Sequence, residues 1–179
     1  MTIGLSLVSE LERLAGALGE NGDHASQISL TTIAERISRV LGVKPDEIAI
    51  LGLSARWRHL YFLVPEALRN VGFIPLSSTT AIAARTARES RPEIINNFAA
   101  VRHASVFESV KIGPDSSDLI QKIITAPILA GGRVVGVIQV SRKGPSLAGC
   151  GPDFTPDHLG NVLALCKPLG KLLQHLTAE

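Results

Sequence analysis

The chain has 179 residues and a mass of 19.0 kDa, room for one domain with helical extensions and too little for a two-domain enzyme. Hydrophobic residues make up 45% and charged residues 19%, with a mean hydropathy of +0.25, which excludes disorder and a collagen-like fibre and allows a sizeable core. A net charge of +2 is too small for an electrostatic nucleic-acid footprint, and two cysteines are too few for a disulfide framework or a zinc site. The low charge also points to a surface covered by a ligand or a partner.

The N-terminus lacks a basic segment, and Glu10, Glu12 and Arg13 interrupt its apolar character, so it does not read as a signal peptide. Leu7, Val8, Leu11, Leu14, Ala15 and Leu18 recur at three- and four-residue steps and predict an amphipathic helix stopped at Gly19. Ile28, Ile33, Ile37, Val40 and Leu41 predict a second helix ending at Gly42. The period then changes: Glu47–Leu53 and His59–Val64 read as a strand pair, and Val71–Leu76 as a third strand. Trp57, in the first turn, is either a contact anchor or packed beneath it.

From Thr79 to Ser90 a helix is expected, small on one side through Ala81, Ala83, Ala84 and Ala87, with Ser77, Ser78 or Thr79 as its N-cap. Arg91-Pro92 ends it, and Glu93–Ile95 reads as a brief strand. A loop region with a short helix around Ala104–Glu108 follows. Lys122–Ala130 and Val134–Arg142 flank Gly131-Gly132-Arg133, the pattern of an apolar hairpin; the glycines and Pro127 inside this stretch argue against a membrane helix. Thr155-Pro156 opens a long helix carrying Leu159, Val162, Leu163, Leu169, Leu172, Leu173 and Leu176, with a kink expected at Pro168.

This element order argues for an α+β domain built on one antiparallel sheet. The run Ala126–Lys143, followed by Phe154–Leu159, resembles the C-terminal half of a GAF domain, and Ser77–Ala84 with Arg91–Asn97 looks like that family's middle helix and the short strand after it. The resemblance covers roughly residues 25–176. It divides the chain into an N-terminal amphipathic helix and linker, 1–24, and a GAF-like domain, 25–179, that includes the long C-terminal helix. It implies a central antiparallel sheet with helices packed on one face and a ligand pocket under a helix and loops on the other.

The family's cyclic-nucleotide branch often carries an Asn-Lys pair after the hairpin and a Phe-x-x-x-Asp-Glu at the start of the last helix. Here Lys143 and Phe154 match, but Arg142, His158 and Leu159 replace the Asn, Asp and Glu, so tight binding of cyclic AMP or cyclic GMP is not expected. The bilin-binding and methionine-sulfoxide-reductase branches use pocket cysteines, whereas Cys150 and Cys166 lie at or beyond the post-hairpin loop.

Independent chemistry is sparse. There is no HExxH, GxxxxGK[ST] or GxSxG, and the five histidines have no metal-ligand spacing. No catalytic residue and no metal ligand is expected, and the cofactor is left unknown. His103 is a ligand contact or a satisfied histidine; Cys150 is a reactive or an incidental thiol. Arg85, Arg88 and Arg91, with Arg102-His103, form an anion-binding edge or a solvated face. Asn96, Asn97 and Phe98 form a pocket wall or a turn.

Two function classes follow. The first is a cytoplasmic small-molecule sensor in signal transduction, not an enzyme, with Ser78, Arg85, Asn97, Phe98, His103 and Phe107 as ligand-binding residues. The second is an interaction or dimerisation module whose pocket is filled by Phe73, Phe98 and Phe107. The expected partners are an unidentified small molecule, a second copy of the chain joined through the terminal helices, and a further protein, with no nucleic acid and no membrane.

Overall fold

The computed structural model describes residues 5–20, 30–98 and 119–176. Helices α1 (Leu5–Glu20) and α2 (Leu30–Leu41) precede strands β1 (Ile48–Ser54), β2 (His59–Val64) and β3 (Phe73–Pro75). Helix α3 (Ile82–Glu89) and strand β4 (Glu93–Ile95) follow, then the hairpin β5 (Leu119–Ala130) and β6 (Arg133–Gly144), and finally α4 (Pro156–Leu176). The strands form one antiparallel sheet in the order β3-β2-β1-β6-β5-β4. The short helix expected around Ala104–Glu108 lies outside the described residues.

Successive side chains of a strand point to opposite faces, and here both faces are covered. On one, Ile48 and Ile50 of β1, Ile138 and Val140 of β6 and Ile124, Ala126 and Ile128 of β5 pack with α1, α2 and α4. On the other, Leu51, Leu60, Phe62, Ile74 and Val137 meet the alanines of α3. The hairpin is therefore apolar on both sides, which is why it reads in the sequence as two continuous runs instead of an alternation. Its two-residue turn, Gly131-Gly132, has φ of 58° and 78°, the left-handed pair that matches the twist of the flanking strands.

Several boundaries differ from expectation. The hairpin strands are longer because Gln121 donates to the Gly144 carbonyl at 2.9 Å and the ladder extends from Leu119 to Gly144. Helix α1 runs through Gly19 to Glu20, and β3 shortens to Phe73–Pro75. The N-cap of α3 is Ala81, not Ser77, Ser78 or Thr79; Ser78 Oγ instead accepts the Ala81 N–H at 3.1 Å, one step earlier. Helix α4 continues through Pro168.

Two further expectations change. Phe73 does not fill an interior, since it is 60% exposed on the outer strand. Much of the apolar stripe of each terminal helix is covered within one chain: α1 packs on α4, and Leu7, Leu11, Val162, Leu165, Leu169, Leu172 and Leu173 share one core with the sheet. Leu163 of α4 stays exposed, so part of the apolar helix face on which a dimer seam was expected remains open.

Candidate functional site

The face under α3 is built from small and polar residues. Ala81, Ala83, Ala84 and Ala87 are buried, which lets α3 lie close on β5 and β6. Thr86 Oγ1 donates either to the Ile82 carbonyl at 2.9 Å or into a 2.8 Å hydroxyl–hydroxyl contact with Thr125 of β5. This fully buried pair fastens the helix to the strand.

Beside Thr125, in register on β6, stands Gln139, whose other neighbour in register is Ala49 of β1. Residues directly opposite across antiparallel strands share a face, so Gln139 projects to the α3 side. It is only 6% exposed, and its Nε2 has no hydrogen-bond partner among the described residues. A buried amide donor left unpaired costs about 1–3 kcal/mol, and such groups are rare in folded proteins. Next to it, Ile82, Phe98 and Ile123, with Ile95 and Ile120, form an apolar wall.

The residues singled out from the sequence are distributed around this face. Phe98 is buried against Ile82 and Ile123. Arg85, on α3, forms a two-pronged ion pair with Glu93 of β4 at 3.1 and 2.9 Å, which ties helix to strand. Ser78 precedes the helix, where its carbonyl accepts Arg88 Nη1 at 2.6 Å. Asn96 holds the backbone of Phe154 from both sides, donating to its carbonyl at 3.0 Å and accepting its N–H at 2.8 Å. Asn97 is exposed. His103 and Phe107 lie outside the described residues. Gln139, Thr86 and Thr125 were missed. The available signal was a glutamine inside the apolar run Val137-Ile138-Gln139-Val140, where both faces are buried.

The residues at the cyclic-nucleotide motif positions make local contacts. The Arg142 guanidinium lies 4.8 Å over the Phe154 ring and donates to the Gly42 carbonyl at 3.2 Å. Lys143 Nζ reaches the Asp46 carbonyl, and His158 Nδ1 accepts the Thr155 N–H at 2.9 Å, closing the first turn of α4. Among the described residues no cluster of His, Cys, Asp and Glu is arranged to hold a metal ion, and no helix is long and apolar enough to cross a membrane.

Of the two thiols, burial pushes Cys166 up to about 12. The unfolded chain releases this proton first, so the thiol's contribution to stability falls as pH rises from 9.0 towards 12. Iodoacetamide at pH 8 is expected to label Cys150 in the native protein and Cys166 only after unfolding, as read by peptide mass; equal labelling of both would contradict the burial.

The GAF domain model matches residues 27–172, and the chain belongs to the GAF domain family. No curated protein matches the sequence. Among solved structures, the GAF domain of the Acinetobacter phosphoenolpyruvate-protein phosphotransferase is similar, with a TM-score of 0.65 at 16% identity, covering 99% of this chain and 96% of its own. Residues 122 to 287 of a methyl-accepting chemotaxis protein are similar at a TM-score of 0.63 and 14% identity, covering 92% of this chain and 99% of that one. The free methionine-R-sulfoxide reductase of Neisseria meningitidis, in complex with its substrate, has a TM-score of 0.61 at 15% identity, covering 96% of this chain and 88% of that one. At these identities the likeness concerns the fold, and the fold hosts both regulatory and enzymatic members.

Proposed function

We propose that the chain is a small-molecule-sensing regulatory module of a cytoplasmic signalling system, not an enzyme, and that its ligand is taken up on the α3 side of the sheet. The observation that carries this reading is the buried Nε2 of Gln139, which has no partner among the described residues. A ligand carbonyl or carboxylate oxygen would satisfy it, with Phe98 and Ile123 as apolar wall. Asn97, His103 and Phe107 are proposed as further contacts. In this reading Arg85 and Ser78 act on the ligand through the seating of α3, since Glu93 and the turn before the helix engage them. Sensing belongs to a pair of copies in contact through the outer faces of α1 and α4, where Leu163 is exposed.

The test is a thermal-shift screen of wild type and Gln139→Leu against a library of small carboxylic acids, amides and carbonyl compounds. Removing that donor should leave the unliganded protein as stable as wild type or more stable by about 1 kcal/mol. A ligand present at about a hundredfold over its Kd adds about 2.7 kcal/mol to wild type, and that gain should vanish in the variant. If no compound shifts wild type, or if the shift survives in Gln139→Leu, the reading fails and the closed interaction module takes its place.

A further inference from the structure

Among the described residues, part of the sheet face that carries α1, α2 and α4 is left open. Where β1, β2 and β3 continue past α2, Ser54, His59, Tyr61 and Phe73 line an open groove of about 550 Å³ together with Trp57 of the β1–β2 turn. The register explains why they converge. Ser54 stands opposite His59, and Tyr61 stands opposite both Gly52 and Phe73, so all point to one face. A side chain at Gly52 would run into the Tyr61 ring, so the glycine lets that ring form the floor. Phe73 stacks on His59 at 4.2 Å, and the Arg56 guanidinium lies 5.0 Å over the Trp57 ring. Trp57 is 65% exposed, and it and Phe73 are the two large aromatic side chains exposed among the described residues.

Charge selects the occupant. Residues 48–92 carry six arginines, no lysine, no aspartate and two glutamates, while the rest of the chain has 12 basic and 14 acidic residues. Arg85, Arg88 and Arg91 of this quarter of the chain lie on or just past α3, on the other face, so the charge nearest the groove is that of Arg56 and Arg58 in the β1–β2 turn. Arg56 and Arg58 flank the groove-lining Trp57 in the chain, and neither takes part in an ion pair among the described residues, whereas Arg85 and Arg91 are engaged by Glu93 and Glu89. Small-molecule sites enclose most of their ligand, and this groove is too open to do so. Exposed Trp, Tyr and Arg are instead the residues that dominate protein–protein hot spots.

We propose that this groove is a docking surface for an extended acidic segment of a partner protein, with an aromatic or aliphatic anchor seated between Trp57 and Phe73 and carboxylates flanking it against Arg56 and Arg58. The site is on the opposite face of the sheet from Gln139, and its occupation does not depend on the sensing proposal. The groove couples apolar burial with Arg–carboxylate pairing beside Trp57, where charge raises the encounter rate.

The experiment is a phage selection of random dodecapeptides on the whole chain, with parallel selections on Phe73→Ser and on the double variant Arg56→Glu, Arg58→Asn. Asparagine is chosen because Arg58 has φ of 53°, a conformation it tolerates. All three positions are exposed, and unchanged melting temperatures verify the fold. The expected result is an enriched consensus of one aromatic or aliphatic residue flanked by Asp and Glu. The synthetic consensus peptide should shift the emission of Trp57, the single tryptophan, saturably. Either variant should weaken it at least tenfold. The proposal is overturned by no enrichment, by a neutral or basic consensus, or by affinity unchanged in both variants. An oligo-dT strand that binds at Trp57 more tightly than the peptide, or self-association of wild type lost in the variants, would equally overturn it in favour of a nucleic acid or a second copy.

Discussion

Gly170→Ala will destabilise the protein, while Gly160→Ala, ten residues earlier on the same helix, will leave it unchanged or stabilise it. Gly170 sits where α4 crosses β5, and an added Cβ would fall inside contact distance of the Leu129 carbonyl oxygen. That atom is backbone and cannot swing aside, so the helix must lift or β5 must bend. Overpacking of this kind costs about 1–3 kcal/mol and more where the neighbour is rigid. A Cβ at Gly160 meets nothing, and alanine gains about 0.8–1 kcal/mol of helix propensity there. Urea and thermal unfolding of both variants read the difference. At about 2–4 °C per kcal/mol, the expected gap in Tm is several degrees, and equal values for the two would mean that α4 does not approach β5 this closely.

Leu11→Glu is the other change with a large expected effect. Leu11 is buried in the core shared by α1, α4 and the sheet. Truncating a buried leucine costs about 2–5 kcal/mol, and placing an unpaired carboxylate there costs more. The expected result is release of α1 from α4, seen as faster hydrogen exchange in both helices and a lower unfolding midpoint. Sedimentation velocity separates this from a role between copies. If wild type sediments near twice its 19.0 kDa mass and the variant as a well-folded monomer, Leu11 belongs to an intermolecular seam and the packing of α1 on its own α4 is secondary.

The fold was legible where one physical signal dominated. The β5–β6 hairpin announced itself because both faces are buried and its turn demands Gly131-Gly132. The order of helices and strands, and with it the GAF resemblance, followed from changes of hydrophobic period. The strand ends were less legible: they depend on contacts such as Gln121 to the Gly144 carbonyl, which no local pattern encodes. Helix packing was the weakest inference. A leucine stripe states that a face is apolar but not what covers it, and the stripe of α1 turned out to lie on α4.

Site residues were harder still, because polar type alone does not separate a ligand contact from a structural bond. Arg85, chosen for its charge, holds Glu93, and Asn96 pins the Phe154 backbone. Gln139 draws attention through its burial and the lack of a partner for its Nε2 among the described residues, neither of which a sequence displays.

The alternation along β6 has a mechanical corollary. Gln139 faces α3, and the residues on either side of it, Ile138 and Val140, are buried on the side held by α1, α2 and α4. A force that shifts the strand at Gln139 therefore moves both of those side chains against the opposite layer through a single peptide unit on each side. The thickness of one strand separates the two layers, so neighbouring positions of β6 report on opposite sides of the sheet.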